Sequence, residues 1–240
     1  LKLQLPVLAV GVALALMSVV PGAAARSALT SSRVAVQTAP PSLQAAVAAV
    51  RSELKGIPQQ GMVLGSSSAP ITVFEYADLI CPTCATAAGT VVASVIKRFV
   101  RSGEVNIEFE PIVESPRSEQ LALGAFAAGE WSLGWDYAQL AYIRSTSQSN
   151  GPLDAPQTLA GSLGLNGRDW LSACRRRLWP ALIEQAAKVA LVGGFTAYPV
   201  FIVRSSANGF GSRPFVRVLR APVTLAQLSA TIRRALRAVG

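Results

Sequence analysis

The chain has 240 residues, 51% of them hydrophobic, with 22 Lys+Arg against 13 Asp+Glu for a net charge of +9, three cysteines and no histidine. The missing histidine excludes Ser-His-Asp and Cys-His catalysis, HExxH zinc proteases and imidazole-ligated metals or haem. Length and apolar content suit one large globular domain or two small ones, not a disordered chain.

Most of the positive charge sits near the C-terminus: residues 168–240 carry 12 Lys+Arg and 2 Asp+Glu. Arg175, Arg176, Arg177, Arg233, Arg234 and Arg237 have few aromatics between them and match no helix-turn-helix, zinc-finger or RRM signature, so no nucleic-acid partner is expected. They read as a solvated basic face of a kind that can sit near anionic lipid headgroups.

The chain opens with Lys2 and a run of 16 uncharged residues, Leu5 to Val20, then Pro21, Gly22 and Ala23-x-Ala25 before Arg26. That is the layout of a signal peptide over residues 1–25. The run is shorter than the roughly 20 residues that span a bilayer, so cleavage is favoured over retention as an N-terminal membrane anchor. In either case the rest is expected to work outside the cytoplasm, in the periplasm or cell envelope, where disulfides persist. Residues 26–59 read as a linker: a tether rich in Ser, Thr, Ala and Pro to Pro41, then a short helix from Ser42 to Lys55 with Ser42 as N-cap. Pro58 to Pro70 reads as loop apart from a short apolar stretch, Met62 to Leu64.

Ile71 to Tyr76 is a β-branched and aromatic strand, Cys84 to Val100 a helix burying Val91, Val92, Val95, Ile96 and Phe99, and Val105 to Ile112 a second strand. Strand, helix, strand is the unit that builds a parallel sheet. Helical patterns follow over Ser118–Trp131, Gly134–Arg144, Ala155–Leu163, Arg168–Leu178 and Ala181–Leu191, broken at Asn150-Gly151-Pro152. Val200 to Val203 and Phe215 to Leu219, separated by Asn208-Gly209, read as a hairpin, and Thr224 to Ala238 as a closing amphipathic helix. The fold class is therefore α/β, two β-containing halves flanking an all-helical insertion at about 115–180, within a domain spanning 60–240.

The chemistry concentrates in Cys81-Pro82-Thr83-Cys84, between a strand and a helix. A helix N-terminus offers free backbone N–H groups and a positive dipole end, which stabilise a thiolate nucleophile at the first cysteine. Pro82 suits the first helical turn, and Cys84, one turn further in, can attack a mixed disulfide from behind, so the pair can cycle between dithiol and disulfide. Zinc would need four ligands, and only Cys174 is left to join the pair, so no metal is expected. A purely structural disulfide would close so short a loop that it stabilises little.

These residues resemble the DsbA-like branch of the thioredoxin superfamily. Leu64-Gly65, Ala69 to Asp78 and Cys81 to Cys84 look like its opening strand and active site. Gly194 to Ile202 (GFTAYPVFI) looks like its cis-proline loop and following strand. The resemblance covers roughly residues 60–240 and implies a thioredoxin fold with a helical insertion. It also implies an exported thiol-disulfide oxidoreductase without organic cofactor, most readily a dithiol oxidase, with an isomerase or reductase of the same fold as the alternative. Cys81 and Cys84 would be catalytic. Glu75 would be a buried acid relaying the proton of Cys84, a solvated strand-end carboxylate being the competing reading. Pro82, Thr83, Tyr198 and a cis Pro199 would meet the substrate peptide, and Asp78 would shape the turn into the site. The implied partners are cysteine-containing exported proteins and a membrane redox protein that recycles the pair. Two departures bear on tuning: Pro-Thr replaces the Pro-His of the most oxidising members, and Tyr198 is bulkier than the usual residue before the cis-proline. From the residues alone, Cys174 reads as a small hydrophobe on the apolar face Trp170-Leu171-Cys174-Leu178, with an intermolecular or secondary disulfide as the alternative, and Trp131, Trp135, Tyr137 and Tyr142 read as core, with one of them lining a peptide groove as the alternative. A non-enzymatic envelope binding module using the basic C-terminal face is the competitor from another class.

Overall fold

The computed structural model describes residues 41–147, 154–205 and 214–239. The expected signal peptide or anchor, nearly all of the tether, the Asn150-Gly151-Pro152 break and the Asn208-Gly209 turn lie outside the described residues. Ser42 caps helix α1 (Leu43–Leu54) by accepting the Ala45 N–H at 3.2 Å. Helix α1 buries Ala46, Val47, Val50 and Leu54 in the same core as the central strands. The helix read as part of a linker is thus packed into the domain.

Pro58 to Pro70, read as loop, contributes two short strands, β1 (Gln59–Gln60) and β2 (Val63–Leu64), paired antiparallel around Gly61. Strand β3 (Ile71–Ala77) leads into helix α2 (Pro82–Val100) and then strand β4 (Val105–Pro111). β4 runs parallel to β3, with Glu75 opposite Phe109, and its other edge takes β2 antiparallel. Helix α2 contains two π-helical stretches, Ala88–Val92 and Ile96–Val100, and buries the five apolar residues that its spacing predicts. By length and composition α2 could cross a membrane, but 56% of its apolar window is buried inside the domain, as in the core helix of a globular protein.

The insertion comprises α3 (Pro116–Gly129), α4 (Gly134–Ser147), α5 (Pro156–Ser162) and α6 (Gly167–Cys174), followed by α7 (Leu178–Val192). Buried aromatics lock it through their polar ends, as buried Trp and Tyr require. Trp135 Nε1 donates to Met62 O at 2.7 Å, Trp170 Nε1 to Gly124 O at 3.1 Å and the Tyr137 hydroxyl to Pro156 O at 3.2 Å. Trp135, Tyr137 and Tyr142 are core, as expected, but Trp131 is not: it is 43% exposed, because α3 stops at Gly129 and leaves it on the turn into α4. The face read around Cys174 also differs. α6 ends at Cys174 and buries Trp170 and Ala173, while Leu171 and Leu178 are exposed and Cys174 is half-buried at the core margin.

Strands β5 (Val200–Ser205) and β6 (Val216–Leu219) form the expected antiparallel hairpin. The sheet order is β1-β2-β4-β3-β5-β6, with β3 between a parallel and an antiparallel neighbour. Alternation along β3 sends Ile71, Val73, Glu75 and Ala77 to the main core. Tyr76 faces the other way and packs with Val200, Ile112 and α7 residues Ala186 and Ala190. Helix α8 (Leu225–Val239) closes the main core with Leu228, Ile232 and Ala235 and turns Arg233, Arg234 and Arg237 outward. The arrangement is the α/β fold anticipated, two β-containing halves around a helical insertion.

Candidate active site

The turn from β3 into α2 is held by Asp78. Its Oδ1 accepts the Ile80 N–H at 2.8 Å, its Oδ2 accepts the Glu114 N–H at 3.3 Å, and its backbone carbonyl accepts the Cys81 N–H at 3.2 Å. The side chain is buried, and desolvation pushes its carboxyl up while hydrogen bonds from Ile80, Ser118 and Glu114 pull it back. Asp78 therefore shapes the entry to the site, and its carboxylate also ties down the start of the segment leading into α3.

Cys81 is the N-cap of α2 and Pro82 its first residue. The Cys81 sulfur accepts the Cys84 N–H at 3.3 Å, the hydrogen bond a helix N-terminus leaves to be made from outside. Cys84 is fully buried behind it, and its thiol donates to the Cys81 sulfur at 2.6 Å. Burial, then the hydrogen bond to Cys81, push the Cys84 thiol well up, and Glu75 adds to the shift. One cysteine thus faces outward at a helix N-terminus and the other is a protonated thiol held in reserve.

Thr83 joins this turn to the far side of the site. Its hydroxyl lies 3.0 Å from the Cys81 sulfur and donates to the Tyr198 carbonyl at 2.9 Å. The Tyr198–Pro199 peptide is cis, and so is Ala221–Pro222, which the sequence reading did not single out. Cys81 and Thr83 on one side and both X-Pro pairs on the other line a cleft of about 550 Å³. Thr86, Thr90 and Glu114 complete its wall and were also missed; the threonines carry a faint signal, since they lie one and two turns after Pro82 on one helix face.

Glu75 is 1% exposed, which removes the solvated reading of this residue. Among the described residues no cation pairs with it, and desolvation raises its carboxyl to about 8. Of the expected site residues, Cys81, Thr83, Tyr198 and Pro199 line the cleft, whereas Pro82 is exposed at the start of α2 without lining it, Cys84 is buried behind Cys81, and Glu75 and Asp78 are buried in the core. Cys174 stands apart on α6, its thiol raised to about 11 by burial. Among the described residues no group of three or more Cys, Asp or Glu side chains is gathered so as to hold a metal ion.

A family model described as thioredoxin matches residues 58–202. No curated protein sequence matches the chain. Among solved structures, α-DsbA1 from Wolbachia pipientis superposes with a TM-score of 0.63 at 16% identity, covering 77% of this chain and 94% of that one. A thioredoxin-like oxidoreductase from Silicibacter pomeroyi has a TM-score of 0.57 at 19% identity over 78% and 98% of the two chains. Oxidised BdbD from Bacillus subtilis has a TM-score of 0.57 at 17% identity over 75% and 97%. The family match takes in the strand, the Cys81–Cys84 turn, the helical insertion and Pro199, and the superpositions place the same fold in DsbA-type structures; this chain belongs to the thioredoxin family.

Proposed function

We propose that this chain is an exported thiol-disulfide oxidoreductase, acting as a dithiol oxidase on cysteine-containing protein substrates. The observation that carries the reading is the position of Cys81, at the N-cap of α2 and in the cleft walled by Tyr198 and Pro199, with the Cys84 sulfur 2.6 Å behind it. The Silicibacter structure's description as an oxidoreductase supports the same class of chemistry.

In the oxidising direction a substrate thiolate attacks the Cys81 sulfur of the Cys81–Cys84 disulfide. The bond to Cys84 breaks, and Cys84 leaves as a thiolate that takes a proton, for which Glu75 is the buried acid. A second substrate thiolate then attacks the substrate sulfur of the mixed disulfide and releases Cys81 as a thiolate. The substrate loses two electrons and the pair gains them, so an external acceptor must reoxidise the dithiol. A membrane redox protein fills that role, and the signal-peptide layout of residues 1–25 supports export. Tyr198 and Pro199 position the substrate backbone beside Cys81.

A disulfide isomerase or reductase is the second reading, favoured by Thr83: a neutral hydroxyl beside Cys81 stabilises its thiolate less than an imidazolium would. The test is oxidative refolding of a reduced protein substrate, followed with wild type and Cys81→Ser. Loss of turnover in the variant is expected. Wild-type turnover in Cys81→Ser would exclude the enzyme reading and leave the binding module. Reshuffling of scrambled disulfides without oxidation of dithiols would select the isomerase.

A further inference from the structure

Among the described residues, two buried polar atoms near the cysteines have no hydrogen-bond partner, Glu75 Oε1 on β3 and the Tyr142 hydroxyl on α4. The residues are 1% and 3% exposed. Leaving such a group unpaired costs about 1–3 kcal/mol, so two complementary orphans in one core call for a common explanation. Their placement supplies it. Glu75 stands opposite Phe109 in the parallel pair of β3 and β4, and opposite residues of a parallel pair point to the same face. The Tyr142 ring meets Phe109 edge-on, with centroids 6.4 Å apart and planes at 81°. Tyr142, from the insertion, therefore lies over the face that carries Glu75.

We propose that Tyr142 is a positioning residue that holds the Glu75 carboxyl through its hydroxyl and so governs the proton exchanged between Glu75 and Cys84. The inference rests on the reading of Glu75 as the buried group that relays the Cys84 proton, giving it in the oxidising direction and taking it in resolution. The hydrogen bond that the proposal requires is made by a side-chain rotation or through one bridging water. The phenol can only usefully donate to the carboxylate, its own proton being held well above the ordinary range by burial first and by Glu75 next. It therefore favours the charged form of Glu75 against desolvation.

The step is the resolution of a mixed disulfide by Cys84. The Cys84 proton passes to the Glu75 carboxylate, the Cys84 sulfur bonds to the Cys81 sulfur, and the bond between Cys81 and the bound thiol breaks, releasing that thiol as a thiolate. Other titratable groups acting on the Tyr142 hydroxyl are few: Cys84 and Cys81 from α2, and Asp78 past the end of β3. β4 and β5 bring Phe109 and Phe201 beside Glu75. α1 contributes Val47 and Val50 to this core, α3 Leu121 and Ala125, and α8 Leu228 and Ile232. The buried Asp136 on α4 is taken by Gln59 Nε2 at 2.6 Å.

The test uses the reduced full chain and Ellman's reagent. The first thionitrobenzoate release reports attack by Cys81, and the second reports resolution by Cys84. The rate of the second release is followed against pH for wild type, Tyr142→Phe, Glu75→Gln and the double variant. Phenylalanine keeps the ring on Phe109, and a ¹³C NMR titration of the glutamate carboxyls reads Glu75 in Tyr142→Phe directly. The expected result is that Tyr142→Phe moves the Glu75 step to higher pH by about one unit, slowing resolution about tenfold below the step. Glu75→Gln abolishes the step, and Tyr142→Phe then adds nothing. An unchanged profile in Tyr142→Phe, or an equal slowing by that variant in the Glu75→Gln background, would overturn the proposal while Glu75 keeps its role. An unchanged profile in Glu75→Gln would overturn the Glu75 reading and the proposal with it, and absence of any second release would overturn the disulfide chemistry itself.

Discussion

The Thr83 hydroxyl donates to the Tyr198 carbonyl at 2.9 Å across a sequence separation of 115 residues, and the same oxygen stands 3.0 Å from the Cys81 sulfur. Thr83 has one proton for two acceptors: the carbonyl when Cys81 is in a disulfide, and the sulfur as well once Cys81 is a thiolate. Thr83→Val removes the donor from both. Because the thiolate exists only in the reduced pair, the variant destabilises the dithiol relative to the disulfide. A hydrogen bond to a charged group contributes about 1.5–3 kcal/mol, so the equilibrium against glutathione shifts toward the disulfide by roughly tenfold or more. Thr83→Ser restores the wild-type ratio; a Val variant that matches wild type would show that the hydroxyl does not reach the thiolate.

Glu75 predicts the pH dependence of stability in the reduced protein. Its folded-state proton is held up to about 8, whereas an exposed glutamate releases its proton near 4.5. Between these values the folded state binds the extra proton, so stability falls as pH rises, by up to about 1.4 kcal/mol per pH unit, and is unaffected by this group outside that window. Glu110, raised to about 7 by burial and by Glu108, adds a fall of the same sign. Urea unfolding of Glu75→Gln at pH 5 and pH 8 is expected to show a distinctly smaller loss than wild type. Equal losses would mean that Glu75 is not protonated in the folded protein.

The three thiols differ in access. Cys81 opens on the cleft, Cys84 is fully buried with its proton held tightly, and Cys174 is half-buried with its thiol raised to about 11. Alkylation depends on the exposed thiolate. Iodoacetamide at pH 7.5 is expected to modify Cys81 first, with one equivalent incorporated before Cys84 or Cys174 reacts. Peptide mass mapping over time checks the order.

Gly124 on α3 tests the seating of the insertion. A Cβ there would come within 2.5 Å of the Tyr137 hydroxyl oxygen and 2.9 Å of Trp170 Cζ2. Both rings are buried, stacked on each other and hydrogen-bonded, so neither yields freely. Gly124→Ala is expected to cost about 1–3 kcal/mol. Gly161, in α5, has open space where a Cβ would go, and Gly161→Ala is expected to be neutral or to stabilise by up to about 1 kcal/mol. Denaturant midpoints of the two variants should fall on opposite sides of wild type or nearly so.

The sequence was most readable where periodicity and chemistry coincide. β3, α2 and β4 carry long apolar patterns, and Cys81-Pro82-Thr83-Cys84 announces itself at the junction of the first two. β1 and β2 left no such trace, because a two-residue strand has no period to detect and is held by pairing with β4. The apolar pattern that takes in Trp131 runs past the end of α3 at Gly129, and the one that takes in Leu178 runs across the break after Cys174, while Leu171 lies within α6 beside the face that buries Trp170 and Ala173. Asp78 was legible as a turn residue from its place before Cys81. Its bond to the Glu114 N–H was not, since it spans a distance in sequence that only the folded sheet closes. The same holds for Glu75: alternation assigns its face, while the depth of that face depends on α2, α4 and α8 all being in place.

The two sulfurs and the cleft around them differ in how much of the chain must be assembled before each exists. Cys81 and Cys84 are brought together by a single helical turn. The opposite wall waits for β5 to pair with β3 and β6 with β5, and it draws on residues as late as Val223. In sequence order the thiol pair comes first, Cys174 next and the opposite wall of the cleft last. Docking of Trp170 and Ala173 into the core keeps Cys174 on α6, apart from the residues that line the cleft.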